Sequence, residues 1–382
     1  MQPIDPTFSD PELCRGLLDR IEDELDSPLR FMEVCGTHTT AIFRAGLPSL
    51  WSSRITHISG PGCPVCVTHS REIASCLELA GKDEVILASF GDLMRIPGPK
   101  GMSLGRARAK GADLRIIYSP LEALELAVQN PKRAVVFLGV GFETTAPATA
   151  VAICAARQAK LENFSVLCMH KLTPPALRAL LREAEQEPVK EEDAPSNPVA
   201  PILDAFLLPG HVSTILGPEP FRFIADEYGK PGVIGGFEPT DILQSLLLMI
   251  RMRKKGRAKI VNQYSRAVDA KGNAKARALM DEVFTAADSL WRGLGLIPQS
   301  GLEIRAAYVD FDARERFSLD CSDPASALEN PACKCGEVLR GRISPRECPL
   351  FAKVCVPERP AGPCMVSSEG SCAAFFRYQI DF

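Results

Sequence analysis

Residues 134–160 read AVVFLGVGFETTAPATAVAICAARQAK. A short apolar run, Val135–Leu138, passes through a Gly-containing turn, Gly141-Phe-Glu143-Thr-Thr145, into an Ala-rich amphipathic stretch, Ala146–Lys160. A short apolar run without alternation suits a strand buried on both faces, and the longer stretch suits a helix packed on it. The same unit recurs on both sides. Further strand candidates are Phe31–Val34, Ile55–Ile58, Val85–Phe90, Arg115–Tyr118, Val166–Met169, Ala205–Leu208 and Val233–Gly235. Helical stretches include Arg71–Ala80, Leu121–Gln129, Pro174–Ala184 and Asp241–Lys254.

Alternation of this kind predicts parallel sheets of α/β class. Eight strands divide into two sets of four with a break near Asn130-Pro131. The expectation is therefore two similar parallel-sheet α/β domains, 1–130 and 131–299, facing a cleft. From about residue 300 the alternation stops and Cys, Pro and Gly become dense. That predicts a small irregular C-terminal domain, 300–382, held together by a metal cluster rather than a large core. The polar, Pro-rich segment Glu183–Pro201 reads as a solvated surface insertion.

A net charge of −3 gives no basic field for nucleic acid or an anionic membrane. No stretch approaches the roughly 20 apolar residues of a membrane span. The opening MQPIDPTFSDPELC lacks a secretory pattern, so a soluble cytoplasmic protein is expected. In such a compartment 14 cysteines argue for metal or redox chemistry rather than a disulfide framework. Cys14, Cys76, Cys154 and Cys168 lie in apolar or helical surroundings and read as small buried hydrophobes. Cys35, Cys63 and Cys66 lie in Gly-rich motifs, and Cys321, Cys333, Cys335, Cys348, Cys355, Cys364 and Cys372 crowd the tail.

Five motifs directly follow strand candidates: Cys35-Gly-Thr-His38, Gly60-Pro-Gly-Cys63-Pro-Val-Cys66, Gly141-Phe-Glu143-Thr-Thr145, Pro209-Gly-His211-Val-Ser213 and Gly236-Phe-Glu238-Pro-Thr-Asp241. Ligands of parallel sheets bind at the carboxyl ends of strands, so these motifs are expected around one edge. Thr39, Thr144, Thr145 and Ser213 equally suit helix N-caps. A thiolate at Cys35, at a strand end facing a helix start, suits a soft metal. His38 beside it can ligate, donate a proton or hydrogen-bond. Cys63-Pro-Val-Cys66 can close a small disulfide ring or hold a metal, and it lacks the second pair that a structural zinc needs. The tail fits an iron–sulfur cluster, which takes four thiolates, with a Cys₄ zinc site as the alternative. Six cysteines between Cys333 and Cys372 leave two over.

Together FMEVCGTHT, GPGCPVCVT, GDLMRIPG, VFLGVGFETTAP, LPGHVSTILG, GFEPTDIL and the tail from CKCGEVLRG to GPCMVSSEGSC resemble the HypD family of hydrogenase maturation proteins, over nearly the whole chain. The resemblance implies a [4Fe-4S] cluster on Cys333, Cys348, Cys355 and Cys372, with Cys335 and Cys364 as a redox thiol pair beside it. That arrangement is similar to ferredoxin–thioredoxin reductase. It further implies that Cys35 transiently holds iron with cyanide and carbon monoxide ligands, the Fe(CN)₂CO centre of nickel–iron hydrogenases. The small chaperone HypC would supply a second thiolate, and HypE, charged by HypF, would deliver cyanide. Cys63 and Cys66 match the family's essential pair. His38, His211, Glu143, Glu238 and Asp241 become candidates for positioning diatomic ligands or moving protons. Two positions depart from the pattern of the family: Thr40 stands where many of its members carry His, and His69 where many carry Pro. A free-standing iron–sulfur thiol–disulfide oxidoreductase and a zinc-stabilised binding module are the alternative readings.

Overall fold

Strand β5, Ala134–Gly141, is buried along almost its whole length. It pairs in parallel with a strand on each side. The computed structural model describes residues 6–186, 203–319 and 330–378. The other parallel strands are β1 Leu29–Glu33, β2 Ile55–Ser59, β3 Val85–Ser89, β4 Leu114–Ile116, β6 Phe164–His170, β7 Ala205–Leu208, β8 Gly232–Ile234 and β9 Ile260–Asn262. They form two parallel sheets, one ordered β2-β1-β7-β8-β9 and one ordered β4-β3-β5-β6. The α/β class with two parallel sheets is therefore as expected.

The partition of the chain differs from the expected one. The break at Asn130-Pro131 falls inside one sheet, because Val85 of β3 pairs with Ala134 of β5 across it. The chain then returns, and Ala205 of β7 pairs with Phe31 of β1. Asn130-Pro131 marks the end of the helix Pro120–Gln129, a common place for proline, and not the end of a domain. The sets hold five strands and four. The additional strand, β9, has only three residues, all half-buried, and carries no readable pattern.

A hairpin of β10, Phe284–Trp291, and β11, Gly295–Ile304, runs through the position where the third domain was expected to begin. A bridge from Gly301 to Lys171, just after β6, ties it to the four-stranded sheet, and one from Trp291 to Thr68 ties it to the Cys63–Cys66 segment. Trp291 is 1% exposed, stacks on Phe142 at 6.0 Å and donates from Nε1 to Ser300 Oγ at 2.7 Å. Arg292 N–H donates to Val67 O at 2.9 Å. Gly293, at φ +76°, packs on Gly336 with no room for a side chain on either residue. This turn joins the four-stranded sheet, the Cys63–Cys66 segment and the C-terminal segment.

The C-terminal segment is short helices and turns, including Cys335–Leu339 and Ser371–Tyr378. Its core is not separate. Cys335, Cys348, Cys355, Cys364 and Cys372 belong to the same buried cluster as Cys63, Cys66 and Trp291. Glu183, expected in the solvated insertion, instead lies in the helix Thr173–Gln186 and pairs with Arg340 at 2.9 Å and Arg342 at 2.7 Å. The rest of that insertion beyond residue 186, and Cys321, lie outside the described residues. Cys76 and Cys168 are buried as expected, whereas Cys14 and Cys154 are only half-buried. Among the described residues no helix is long and apolar enough to cross a membrane.

Trp291 fills the junction of three parts, so its removal should leave a cavity that none of them can collapse into. Trp291→Ala should cost about 3–5 kcal/mol, measured as a lower urea midpoint. A loss below about 1 kcal/mol, the scale of an ordinary surface substitution, would show that the turn is not a strut.

Candidate functional site

Four of the five motifs follow β2, β1, β7 and β8, which are consecutive neighbours in the five-stranded sheet. GPGCPVC, CGTH, PGHVS and GFEPTD therefore share one carboxyl edge. Gly141-Phe-Glu143-Thr-Thr145 follows β5 in the other sheet.

Cys35 is the N-cap residue of the helix Gly36–Arg44, and Cys63 is that of the short helix Pro64–Val67. The two loops clasp each other. Gly36 N–H donates to Gly62 O at 2.9 Å, and Gly60 N–H donates to Glu33 O at 2.8 Å. Gly62 lies so close to the backbone of Val34 and Cys35 that a Cβ would collide. Glu33, which the sequence reading missed, ties the arrangement down. It has no exposed surface, yet its carboxylate accepts from Cys35 N–H at 2.9 Å and Thr39 Oγ1 at 2.5 Å, and lies 3.6 Å from His57 Nε2. An acid inside the apolar strand Phe31–Val34 was the available signal.

Burial pushes the Cys35 thiol up to about 12, and the Glu369 carboxylate adds to this. The backbone N–H groups of His38 and Thr37 pull it the other way. His38 is fully buried. Its Nε2 lies 3.2 Å from Gly235 O and 3.0 Å from Gly236 O, so the ring proton is assigned to Nε2. Nδ1 is then a bare acceptor with no hydrogen-bond partner. Burial pulls this imidazole down to about 4, which keeps it neutral. Phe237 lies against both His38, at 4.6 Å, and His211, at 4.1 Å, with His211 exposed at the rim.

The three acids proposed from the sequence are held in the scaffold. Asp241 accepts from Gln263 Nε2 and Arg266 Nη1, both at 2.8 Å, from Arg266 Nη2 at 2.5 Å and from Glu238 N–H at 3.3 Å. Burial raises its carboxyl, but these bonds outweigh that and hold it below its usual range. Asp241 fixes the turn whose carbonyls receive His38, which is a positioning task. Glu238 starts the helix Pro239–Lys254 and accepts from Ser9 Oγ at 3.0 Å. Glu143 accepts from Thr173 N–H at 2.7 Å and Thr173 Oγ1 at 2.9 Å, linking the ends of β5 and β6.

The sulfur groups converge. Cys63 Sγ accepts from Cys66 N–H at 3.4 Å, and Cys66 Sγ lies 4.0 Å from Pro363 O. Burial, then Cys63, then Cys372 push the Cys66 thiol well up. Cys335 and Cys364 are joined as a disulfide with Cα atoms 6.4 Å apart. Burial, followed by Cys333, Cys355 and Cys348, pushes Cys372 well up. Cys333, Cys348, Cys355 and Cys372 are thus gathered in one desolvated place.

These residues fit a multi-iron cluster. They offer four soft donors in one place, and burial raises the thiols of Cys333 and Cys372 there. Ala361 N–H also donates to Cys355 Sγ at 3.2 Å, the kind of bond that tunes cluster sulfur. Among the described residues no group of three or more His, Cys, Asp or Glu forms a ready site for one metal ion.

The two departures from the family pattern are absorbed locally. Thr40 Oγ1 donates to Ser368 O at 3.0 Å. His69 caps the helix Ser70–Ala80, its Nδ1 accepting from Arg71 N–H at 3.2 Å. The capping expected of Thr39 and Thr145 is absent. Thr39 lies within its helix and bonds Glu33, and Thr145 makes no side-chain cap bond.

The family model described as "HypD: Hydrogenase formation hypA family" matches residues 12–379. The hydrogenase maturation factor HypD of Rhodobacter capsulatus is 48% identical over 380 residues, covering 97% of each chain. The hydrogenase maturation factor HypD2 of Bradyrhizobium diazoefficiens is 46% identical over 374 residues, covering 97% of this chain and 95% of its own. The corresponding Escherichia coli K12 protein is 44% identical over 355 residues, covering 93% and 90%.

Burial pushes Glu143 up to about 7, from a usual value of 4.5. The folded state then holds a proton that the unfolded chain has released. The associated stability is full below about pH 4.5 and is lost as the pH rises through 7. Glu143→Gln, neutral throughout, should gain about 1–3 kcal/mol over the native chain between pH 5 and pH 8. Urea unfolding at the two values checks this, and a difference that does not change with pH would rule it out.

Proposed function

The chain belongs to the HypD family of hydrogenase maturation factors, and from this we propose that it is a cytoplasmic, redox-active scaffold for assembling the Fe(CN)₂CO centre of nickel–iron hydrogenases. In this reading the iron is cargo, held between Cys35 and a thiolate of HypC, and HypE, charged by HypF, brings cyanide as a thiocyanate. Cys333, Cys348, Cys355 and Cys372 hold a [4Fe-4S] cluster, which when bound supplies one-electron steps.

The supporting observation is the convergence of three sulfur groups. Cys66 Sγ lies against the residue preceding Cys364. Cys364 is bonded to Cys335, and Cys66 feels Cys372. Releasing cyanide follows R–S–C≡N + 2e⁻ + H⁺ → R–SH + CN⁻. Two cysteine thiols closing to a disulfide give up two electrons and two protons, which meets that demand with one proton to spare. Cys63 and Cys66 are free thiols beside Cys35's loop, and Cys335–Cys364 is the neighbouring pair in the other redox state. His38 Nδ1, bare and neutral, can accept a hydrogen bond from a group brought to the site. The disulfide also suits the oxidoreductase reading, which requires turnover of a disulfide substrate without HypC.

Anaerobic co-purification with HypC followed by infrared spectroscopy tests the scaffold reading. Native protein should show cyanide and carbon monoxide bands. Cys35→Ser should fold and keep its cluster absorbance but show none of these bands, because a hydroxyl is a harder, protonated donor. A normal set of bands in that variant would move the iron elsewhere.

The resident cluster makes a separate prediction. Cys372→Ala should lose most iron and sulfide, since cluster binding and folding are coupled. Cys364→Ser should retain them while maturation fails. Full iron content in the first variant, or lost iron in the second, would reverse the assignment of ligands and redox pair.

A further inference from the structure

Between Cys364 and Cys372 lies a loop to which nothing above assigns a task. The 3₁₀ turn Pro363–Met365 carries Cys364, and the helix Ser371–Tyr378 carries Cys372. Between them Val366–Gly370 folds back on itself. Gly370 N–H donates to Ser367 O at 3.0 Å, and Gly370 packs on the backbone of Cys364 where a Cβ would not fit.

The loop is bonded to the helix that begins at Cys35. Thr37 Oγ1 donates to Glu369 Oε1 at 2.8 Å, and Thr40 Oγ1 donates to Ser368 O at 3.0 Å. Gly36 sits against Glu369 with no space for a Cβ. On its other side Ser367 Oγ donates to Asp92 Oδ2 at 2.9 Å, and Arg95 Nη2 donates to Val366 O at 2.6 Å. One end of the loop is therefore covalently tied through Cys335, and its middle grips the first turns of the Cys35 helix. A segment this short and this closely packed cannot absorb a displacement locally, so movement at Cys364 reaches its contacts.

We propose that Val366–Gly370 is a redox-responsive strap that controls access to Cys35, with Thr37, Thr40 and Glu369 as its positioning residues. Opening the Cys335–Cys364 bond frees Cys364 from the helix Cys335–Leu339, loosens the strap and uncovers the Cys35 thiol. Closing the bond covers it again. A dithiol reductant performs the opening by exchange: it gives two electrons and two protons, two cysteine thiols form, and the reductant leaves as its own disulfide. The inference uses the proposed function only in taking Cys35 as the working thiol, and its test involves neither HypC nor diatomic bands.

The test is the rate at which iodoacetamide alkylates Cys35 in the full chain. It is followed anaerobically by peptide mass spectrometry, with cluster absorbance monitored throughout. Opening the disulfide with a dithiol should speed Cys35 alkylation about fivefold or more, as expected when a local opening becomes easier. In a Thr37→Val, Thr40→Val variant the two rates should agree within about twofold. Cys335→Ser with Cys364→Ser should react at the opened rate in both conditions. Glu369→Gln keeps a carbonyl for Thr37 and should keep the native ratio of the two rates, both being faster without the carboxylate that holds the Cys35 thiol up, whereas Glu369→Ala should lose the response. The Gln and Ala comparison decides the matter if the threonine variant loses its cluster. Equal rates in the native chain before and after reduction would overturn the proposal. So would an undiminished response in Glu369→Ala.

Discussion

At the carboxyl end of β1 a carboxylate with no exposed surface meets the backbone N–H of Cys35, the hydroxyl of Thr39 and the imidazole of His57. Burying such a charge without partners would cost far more than the net stability of the chain. Two of its partners lie just after it in sequence, so the loop has one course that leaves Glu33 satisfied. That course puts Cys35 at a helix start and presses its backbone against Gly62. Gly62 in turn brings Cys63 and Cys66 alongside, and Cys66 brings the tail. The placement of the sulfur groups thus descends from one desolvated acid in a strand.

The same desolvation governs the thiols. Cys35, Cys66 and Cys372 are all pushed up chiefly by burial. A protonated thiol is a poor nucleophile and a poor ligand. Positive charge brought by a metal, or a change of packing that admits water, would lower these thiols. Four of the thiols are gathered as soft donors, and the loop beside them is bonded to the helix of Cys35.

Much of this was legible in the sequence. Short apolar-rich runs located eight of the nine parallel strands, most plainly β3, β5 and β7, whose residues are buried on both faces. The motif cysteines were legible because Gly and Pro around them serve no helix or strand. What stayed hidden were partnerships between distant residues. Glu33 and Glu369 matter through what they touch, and Glu369 reaches Thr37 across more than 300 positions. Glu143, Glu238 and Asp241 sit in motifs that resemble catalytic loops, yet their lone pairs are taken by Thr173, Ser9, Gln263 and Arg266. A sequence shows that an acid is near a turn, but not that an arginine has already claimed it.

The order of the strands explains why the motifs are scattered along the chain. Had the two sheets followed each other in sequence, the motifs after β1 and β2 would have been parted from those after β7 and β8. Instead the chain lays down β1 and β2, builds the whole four-stranded sheet, and returns to add β7, β8 and β9 beside β1. The return sets the turn after β8 next to the helix after β1, where Gly235 and Gly236 receive His38. It also leaves the four-stranded sheet as a platform whose hairpin, through Trp291, Arg292 and Gly293, supports the Cys63–Cys66 segment and the tail. One sheet therefore carries most of the chemistry at its edge, and the other holds the sulfur-rich segments against it. The inserted sheet therefore builds the site from parts that are far apart in the chain.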